Sequence, residues 1–175
     1  FGEYFPVPGF VRDWMRLLSL PYSDLGVGGA RQPVLQTTVA ALAPSIWYED
    51  AFGEQMLAFL PQEGMLVNVS NDAWFGDSIA PHQHLQIARM RSVEAGRATL
   101  RATDTGISAV IDHRGKLLAQ SPQFEVSVLR ADVSVRTGAT PFVRFGNLAV
   151  VALALVLIAA GTALGRRQVV SGRRR

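Results

Sequence analysis

From Asn147 to Gly165 the chain reads NLAVVALALVLIAAGTALG, without one charged residue. At 1.5 Å rise per residue a helix of that length reaches roughly 28 Å, close to the ~30 Å hydrocarbon core of a bilayer. A buried core helix is usually shorter and apolar along one stripe, whereas this run is apolar all round. Its C-terminal position excludes a secretory signal peptide. Arg144 stands alone before it, and Arg166, Arg167, Arg173, Arg174 and Arg175 follow it. Arginine excess marks the cytoplasmic side, so residues 147–165 are expected to cross a membrane and 166–175 to form a basic cytoplasmic tail. Residues 1–146 then lie outside the cytoplasm.

The tail also dominates the charge. The 175 residues include 17 Lys+Arg and 14 Asp+Glu, a net of +3. Without the five tail arginines the balance is 12 against 14, so the body is mildly acidic. A nucleic-acid binder needs a basic stripe on its folded part, and nucleic acid is therefore not an expected partner. The absence of cysteine excludes a disulfide framework, a thiolate metal site and, as written, a cysteine nucleophile. The chain opens on Phe1 rather than Met, which reads as part of a longer or processed chain.

The body alternates strand and helix signals. Phe10, Trp14, Leu17 and Leu18 have helical spacing over residues 10–20, and residues 21–33 read as a loop. Strands are predicted over Val34–Val39 and Leu42–Tyr48, with a break near Ala43–Pro44, and a short helix over Phe52–Leu60. The compact run MLVNVS has the character of a buried strand entering the loop NDAWFGDS. A helix is predicted from Pro81 to Arg101, with Leu85, Ala88, Ser92, Ala95 and Thr99 on one face. GISAVID and KLLAQS flank a tight turn at Gly115, and Phe124–Val133 reads as a last strand. The whole implies an α/β layered domain.

Ligands of α/β sheets usually bind at the carboxyl ends of strands. Polar groups at such ends are Tyr48, Glu49 and Asp50 after SIW, and Asn71 and Asp72 after MLVNVS; Glu3 lies in FGEY. Each also has an ordinary explanation, since carboxylates cap helices and Asn-Asp makes turns. Trp74 and Phe75 are large apolar groups in a loop, suited either to a site mouth or to covering the core. His82 and His84 form an H-x-H pair, but His113 falls in a turn and a third metal ligand is wanting. A solvated or capping role is the expectation for both, with no metal. Lys116 follows the turn glycine, where neither the burial nor the charge partner that a catalytic lysine needs is expected.

Taken together, FGEYFPVP, APSIWYEDAFGEQ and SNDAWFG followed by H-x-x-x-A-R-x-R-x-x-E, with the terminal apolar helix, resemble the bacterial apolipoprotein N-acyltransferases. These are membrane enzymes with a nitrilase-like (carbon–nitrogen hydrolase) domain. The resemblance implies that residues 1–140 are the C-terminal part of an α-β-β-α sandwich facing the periplasm, in a multi-pass protein of the bacterial inner membrane. It implies transfer of a fatty acyl group from a phospholipid donor to the N-terminal diacylglyceryl-cysteine of an apolipoprotein acceptor, the last step of lipoprotein maturation. No cofactor is implied.

The family's Glu–Lys–Cys triad works through a thioester in two half-reactions. The resemblance places the general-base Glu and the Lys before Phe1, Glu3 at an additional carboxylate, and Tyr48 and Glu49 directly after the nucleophile. Asn71 and Asp72, at a strand end, and Trp74 and Phe75, in the loop after it, are the expected substrate contacts. The nucleophile position is Trp47: the family pattern I-C-Y-E is here Ile46-Trp47-Tyr48-Glu49. An indole has no atom of thiolate nucleophilicity, so the chain as written is expected to be inactive. Cys codons lie one base from the Trp codon, and a sequence error and a true substitution are both compatible with Trp47. The alternatives are a membrane-anchored, non-catalytic paralogue that binds lipid or lipoprotein, and a nitrilase-type amidase.

Overall fold

The computed structural model describes residues 10, 11, 14, 17, 34–62 and 64–172, with the side chains of the last helix described as far as Thr162. Glu3 and the whole of the expected loop 21–33 lie outside the described residues. Phe10, Trp14 and Leu17 are helical, as their spacing predicts, and so is Val11; Leu18 lies outside the described residues.

One six-stranded sheet organises the body. Its strands β1 (Leu35–Gln36), β2 (Ala41–Ile46), β3 (Met65–Ser70), β4 (Ala98–Thr103), β5 (Ala109–Ile111) and β6 (Leu117–Gln120) lie side by side in chain order. β2, β3 and β4 are mutually parallel, while β1, β5 and β6 pair antiparallel. Parallel neighbours need crossover connections. Helix α1 (Gly53–Met56), preceded by the 3-10 turn Trp47–Ala51, supplies the first, and α2 (Ala80–Ala95) the second.

The helices cover one face of the sheet. Ala43, Leu66, Met56, Leu60 and Ala95 form one buried cluster; Leu85, Ala88, Ile107, Ala109 and Ile111 form the next. Above the apolar row, Ser45, Asn68 and Arg101 stand in register on β2, β3 and β4. All three are buried. The opposite face carries exposed Ile46 and Val69. The described residues thus form one mixed α/β layer, a single sheet with its helices; the second sheet and helix layer of the expected α-β-β-α sandwich are not among them.

Several boundaries differ from expectation. β2 runs unbroken through Pro44; β1 pairs only with Ala41 and Leu42, so Pro44, which has no N–H, sits where that edge of β2 has no partner among the described residues. The predicted helix to Arg101 ends at Ala95. Gly96 takes the left-handed conformation (φ 65°) that closes a helix, and Ala98–Thr103 becomes a central strand. No strand forms over Phe124–Val133. The β5–β6 hairpin is as predicted, with Gly115 at φ 75°.

After α3 (Pro141–Phe145), helix α4 runs from Leu148 to Gly172. Among the described residues no helix is long and apolar enough to cross a membrane. A span needs ~20 apolar residues, and the described side chains of α4 stop at Thr162. As far as that point its side chains are exposed on every face.

Candidate active site

Position 47 sits at a sharp reversal. Ile46 ends β2 in extended conformation (φ −116°, ψ 128°), and Trp47 switches to φ 50° before the 3-10 turn begins. A bulky residue at positive φ is rare and costs on the order of 1–3 kcal/mol unless its surroundings fix it. A strand-to-helix turn of this type lifts the side chain at its apex out of the sheet, as nucleophile elbows do. The Glu49 carboxylate closes the turn by accepting the Ile46 N–H at 2.7 Å. Tyr48 is half-exposed, its ring 5.9 Å from that of Trp47 and edge-on to Phe52 at 5.5 Å. The Trp47 indole Nε1 is buried, without a hydrogen-bond partner among the described residues. A stranded donor of this kind costs ~1–3 kcal/mol, which a thiol in its place would not.

Beneath the elbow lies a buried polar network. Asn68 donates through Nδ2 to the Trp47 carbonyl oxygen (3.3 Å) and to Ser45 Oγ (3.1 Å). His84 Nε2 lies 3.2 Å from the same carbonyl and 3.0 Å from Asp50 Oδ1, and its Nδ1 lies 3.2 Å from Asp72 Oδ1. Arg101 donates to Asn68 Oδ1 (2.6 Å) and Asp72 Oδ2 (2.9 Å), and its Nη1 is 3.6 Å from Asp50 Oδ2. Ser70 Oγ donates to Asp72 Oδ1, and the Asp72 N–H donates to Asp104 Oδ1.

Both ring nitrogens of His84 face carboxylates, so the ring is an imidazolium. Burial alone would lower its pKa, but the hydrogen bonds to Asp50 and Asp72 outweigh burial and push it up to about 9. Burial likewise works to raise Asp72; the bonds from His84 and Ser70 and the charge of Arg101 hold it below its ordinary value. Two cations, His84 and Arg101, thus balance two anions, Asp50 and Asp72. A buried set of charges persists only when paired in this way.

The expected residues are distributed unevenly around this centre. Trp47, Tyr48 and Glu49 form the elbow itself. Asn71 is exposed, and its Oδ1 accepts the Ala73 N–H in a local turn. Asp72 is buried in the network and does not face solvent. Trp74 is 86% exposed on a 3-10 turn, so it does not cover the core, and Phe75 is half-buried. His84, expected to be solvated or capping, is only 5% exposed and joins the network's two carboxylates. Among the described residues no group of His, Asp and Glu is arranged to hold a metal ion. Asp50, expected only as a polar group at a strand end, is buried in the network; Asn68 and Arg101 were not singled out by the sequence.

The parallel strand β2 of a mixed sheet thus ends in a strained elbow over a buried charged network. The chain belongs to the carbon–nitrogen hydrolase family, which it matches over residues 4–142. Curated relatives that it matches include apolipoprotein N-acyltransferases. That of Nitrosomonas europaea is 48% identical over 162 residues, covering 93% of this chain and 33% of the relative. That of Methylococcus capsulatus is 42% identical over 168 residues, covering 96% and 33%. The chain spans about a third of the length of these relatives. In fold it is similar to a carbon–nitrogen hydrolase from Helicobacter pylori, with a TM-score of 0.53 at 15% identity over 62% of this chain and 45% of the other.

Proposed function

We propose that this chain carries the nucleophile-elbow part of an apolipoprotein N-acyltransferase. In this reading the elbow at position 47 is where an acyl group from a phospholipid is held before transfer to a diacylated apolipoprotein. The observation that carries it is the backbone at residue 47, held at positive φ at the carboxyl end of a parallel strand. Trp74 and Phe75 are the proposed contacts for acyl chains, with Asn71 beside them and Asp72 supporting the loop from below; Glu3 is proposed as a further carboxylate of the site. The exposure of Trp74 supports the first assignment.

In the same reading residues 1–140 form a periplasmic domain, 147–165 cross the inner membrane, and 166–175 are cytoplasmic. The uncharged run 147–165 and the apolar side chains exposed all round α4, such as Leu148, Leu153 and Ile158, support it, because water is a poor environment for such a surface.

The indole at position 47 favours a second reading: as written, the chain binds lipid or lipoprotein without forming a thioester. One experiment separates the two. This chain replaces the matching segment of the Nitrosomonas europaea relative, either as written or with Trp47→Cys, and acyl transfer to a diacylglyceryl-cysteine peptide is measured. The proposal expects transfer with Trp47→Cys only. Absence of transfer from both chimaeras, with the peptide still bound, supports the non-catalytic reading.

A further inference from the structure

The carbonyl of residue 47 accepts two buried donors, His84 Nε2 at 3.2 Å and Asn68 Nδ2 at 3.3 Å. Neither donor is free to swing away. Asp72 and Asp50 hold the two ends of the His84 ring, and Ser45 and Arg101 hold the Asn68 amide. A trans peptide is planar, and its C=O and N–H point in opposite directions. A carbonyl pulled down into the network therefore turns the N–H at the other end of that peptide, which belongs to Tyr48, away from the network and towards the half-exposed side of the elbow.

We propose that His84 and Asn68 are positioning residues for acyl transfer: by pinning the carbonyl of residue 47 they aim the Tyr48 N–H at the oxyanion that forms when the group at position 47 is acylated. The inference rests on the reading of position 47 as the nucleophile position. It gives the buried charges a task. An imidazolium clamped between Asp50 and Asp72, with Arg101 completing the balance, is a donor that cannot rotate, so the N–H it orients is already in place before reaction.

The test uses the full chain with Trp47→Cys. Reaction with p-nitrophenyl acetate forms an S–C bond at the ester carbonyl, passes through an oxyanion and expels p-nitrophenolate. Reaction with iodoacetamide forms an S–C bond and expels iodide without any oxyanion. The ratio of the two rates, relative to that of a free cysteine peptide, therefore reports the oxyanion donor and cancels thiol exposure and pKa. The expected ratio is raised at least about tenfold, and falls by at least about tenfold on adding His84→Ala or Asn68→Ala. A raised ratio that neither substitution lowers overturns the inference and leaves the reading of position 47 intact. A ratio no higher than that of the peptide overturns both.

A second measurement needs no substitution. In the chain as written, the Trp47 carbonyl carbon and Tyr48 amide resonances are followed by NMR as His84 titrates near pH 9. Both are expected to shift with the midpoint of the His84 ring. Resonances that stay constant through that midpoint overturn the inference.

Discussion

Arg101 and Asp72 form an ion pair closed off from solvent, Nη2 to Oδ2 at 2.9 Å, with both side chains at 0% exposure. Arg101 comes from the central strand β4 and Asp72 from the loop after β3, so the pair ties the sheet to the loop that carries Trp74. Asp72 in turn holds His84, and His84 holds the carbonyl of Trp47. Loop and elbow therefore share one support.

Removing one member of such a pair strands the other charge in the interior. Arg101→Leu leaves Asp72 and Asp50 opposed by His84 alone. The expected loss of stability is about 3–5 kcal/mol, read from urea unfolding. A loss below about 1 kcal/mol would show that the network is not a support of the fold.

The pH dependence follows from His84. Its folded pKa of about 9 lies above its ordinary value of 6.5, so its contribution is complete below pH 6.5 and disappears as pH rises to about 9. Asp72 acts in the opposite direction: its pKa is held below 3.8, so its contribution is present above that value and is lost on further acidification. The urea midpoint should be highest between these limits and decline from neutrality to pH 9. A midpoint that stays level over that alkaline range contradicts the assignment of an imidazolium, and His84→Gln should flatten the decline.

Gly106 is fixed by the same carboxylate. A Cβ there would stand 2.2 Å from Asp72 Oδ2, which Arg101 prevents from retreating. Gly106→Ala is expected to cost about 1–3 kcal/mol, the usual range for overpacking. Thermal unfolding gives the answer; an unchanged transition would mean that Asp72 has room to move.

Trp74 makes the opposite prediction. At 86% exposure its ring contributes little to the fold, so Trp74→Ala should leave stability within ~0.5 kcal/mol. Binding of the chain to phospholipid vesicles should weaken at the same time, as seen by flotation. Unweakened binding would remove Trp74 from the proposed acyl-chain contacts.

The sequence disclosed the elbow more readily than its support. Trp47, Tyr48 and Glu49 were legible because they lie within the stretch I-x-Y-E that carries the resemblance. Arg101 was hidden by a helical pattern that continued past Ala95: Thr99 fits the face of Leu85, Ala88 and Ser92. The stop signal was Gly96, after which ATLRAT alternates as a strand should, with Thr99 and Arg101 buried on one side. His84 had a signal too. It stands four residues before Ala88, on the buried face of α2, so periodicity alone places it inward. What no spacing discloses is the pairing of charges from β4, α2 and two loops, because those contacts exist only once the sheet has assembled.

The central claim is that residue 47 is the acyl-bearing position, and peptide mass spectrometry tests it most directly. The chimaera with the Nitrosomonas europaea relative is incubated with phospholipid, as written and with Trp47→Cys, then digested and sequenced by fragmentation. The account predicts an added acyl mass on residue 47 of the Trp47→Cys protein and none on the protein as written. An acyl group on the Trp47 protein, on a different residue, or on neither protein would contradict it.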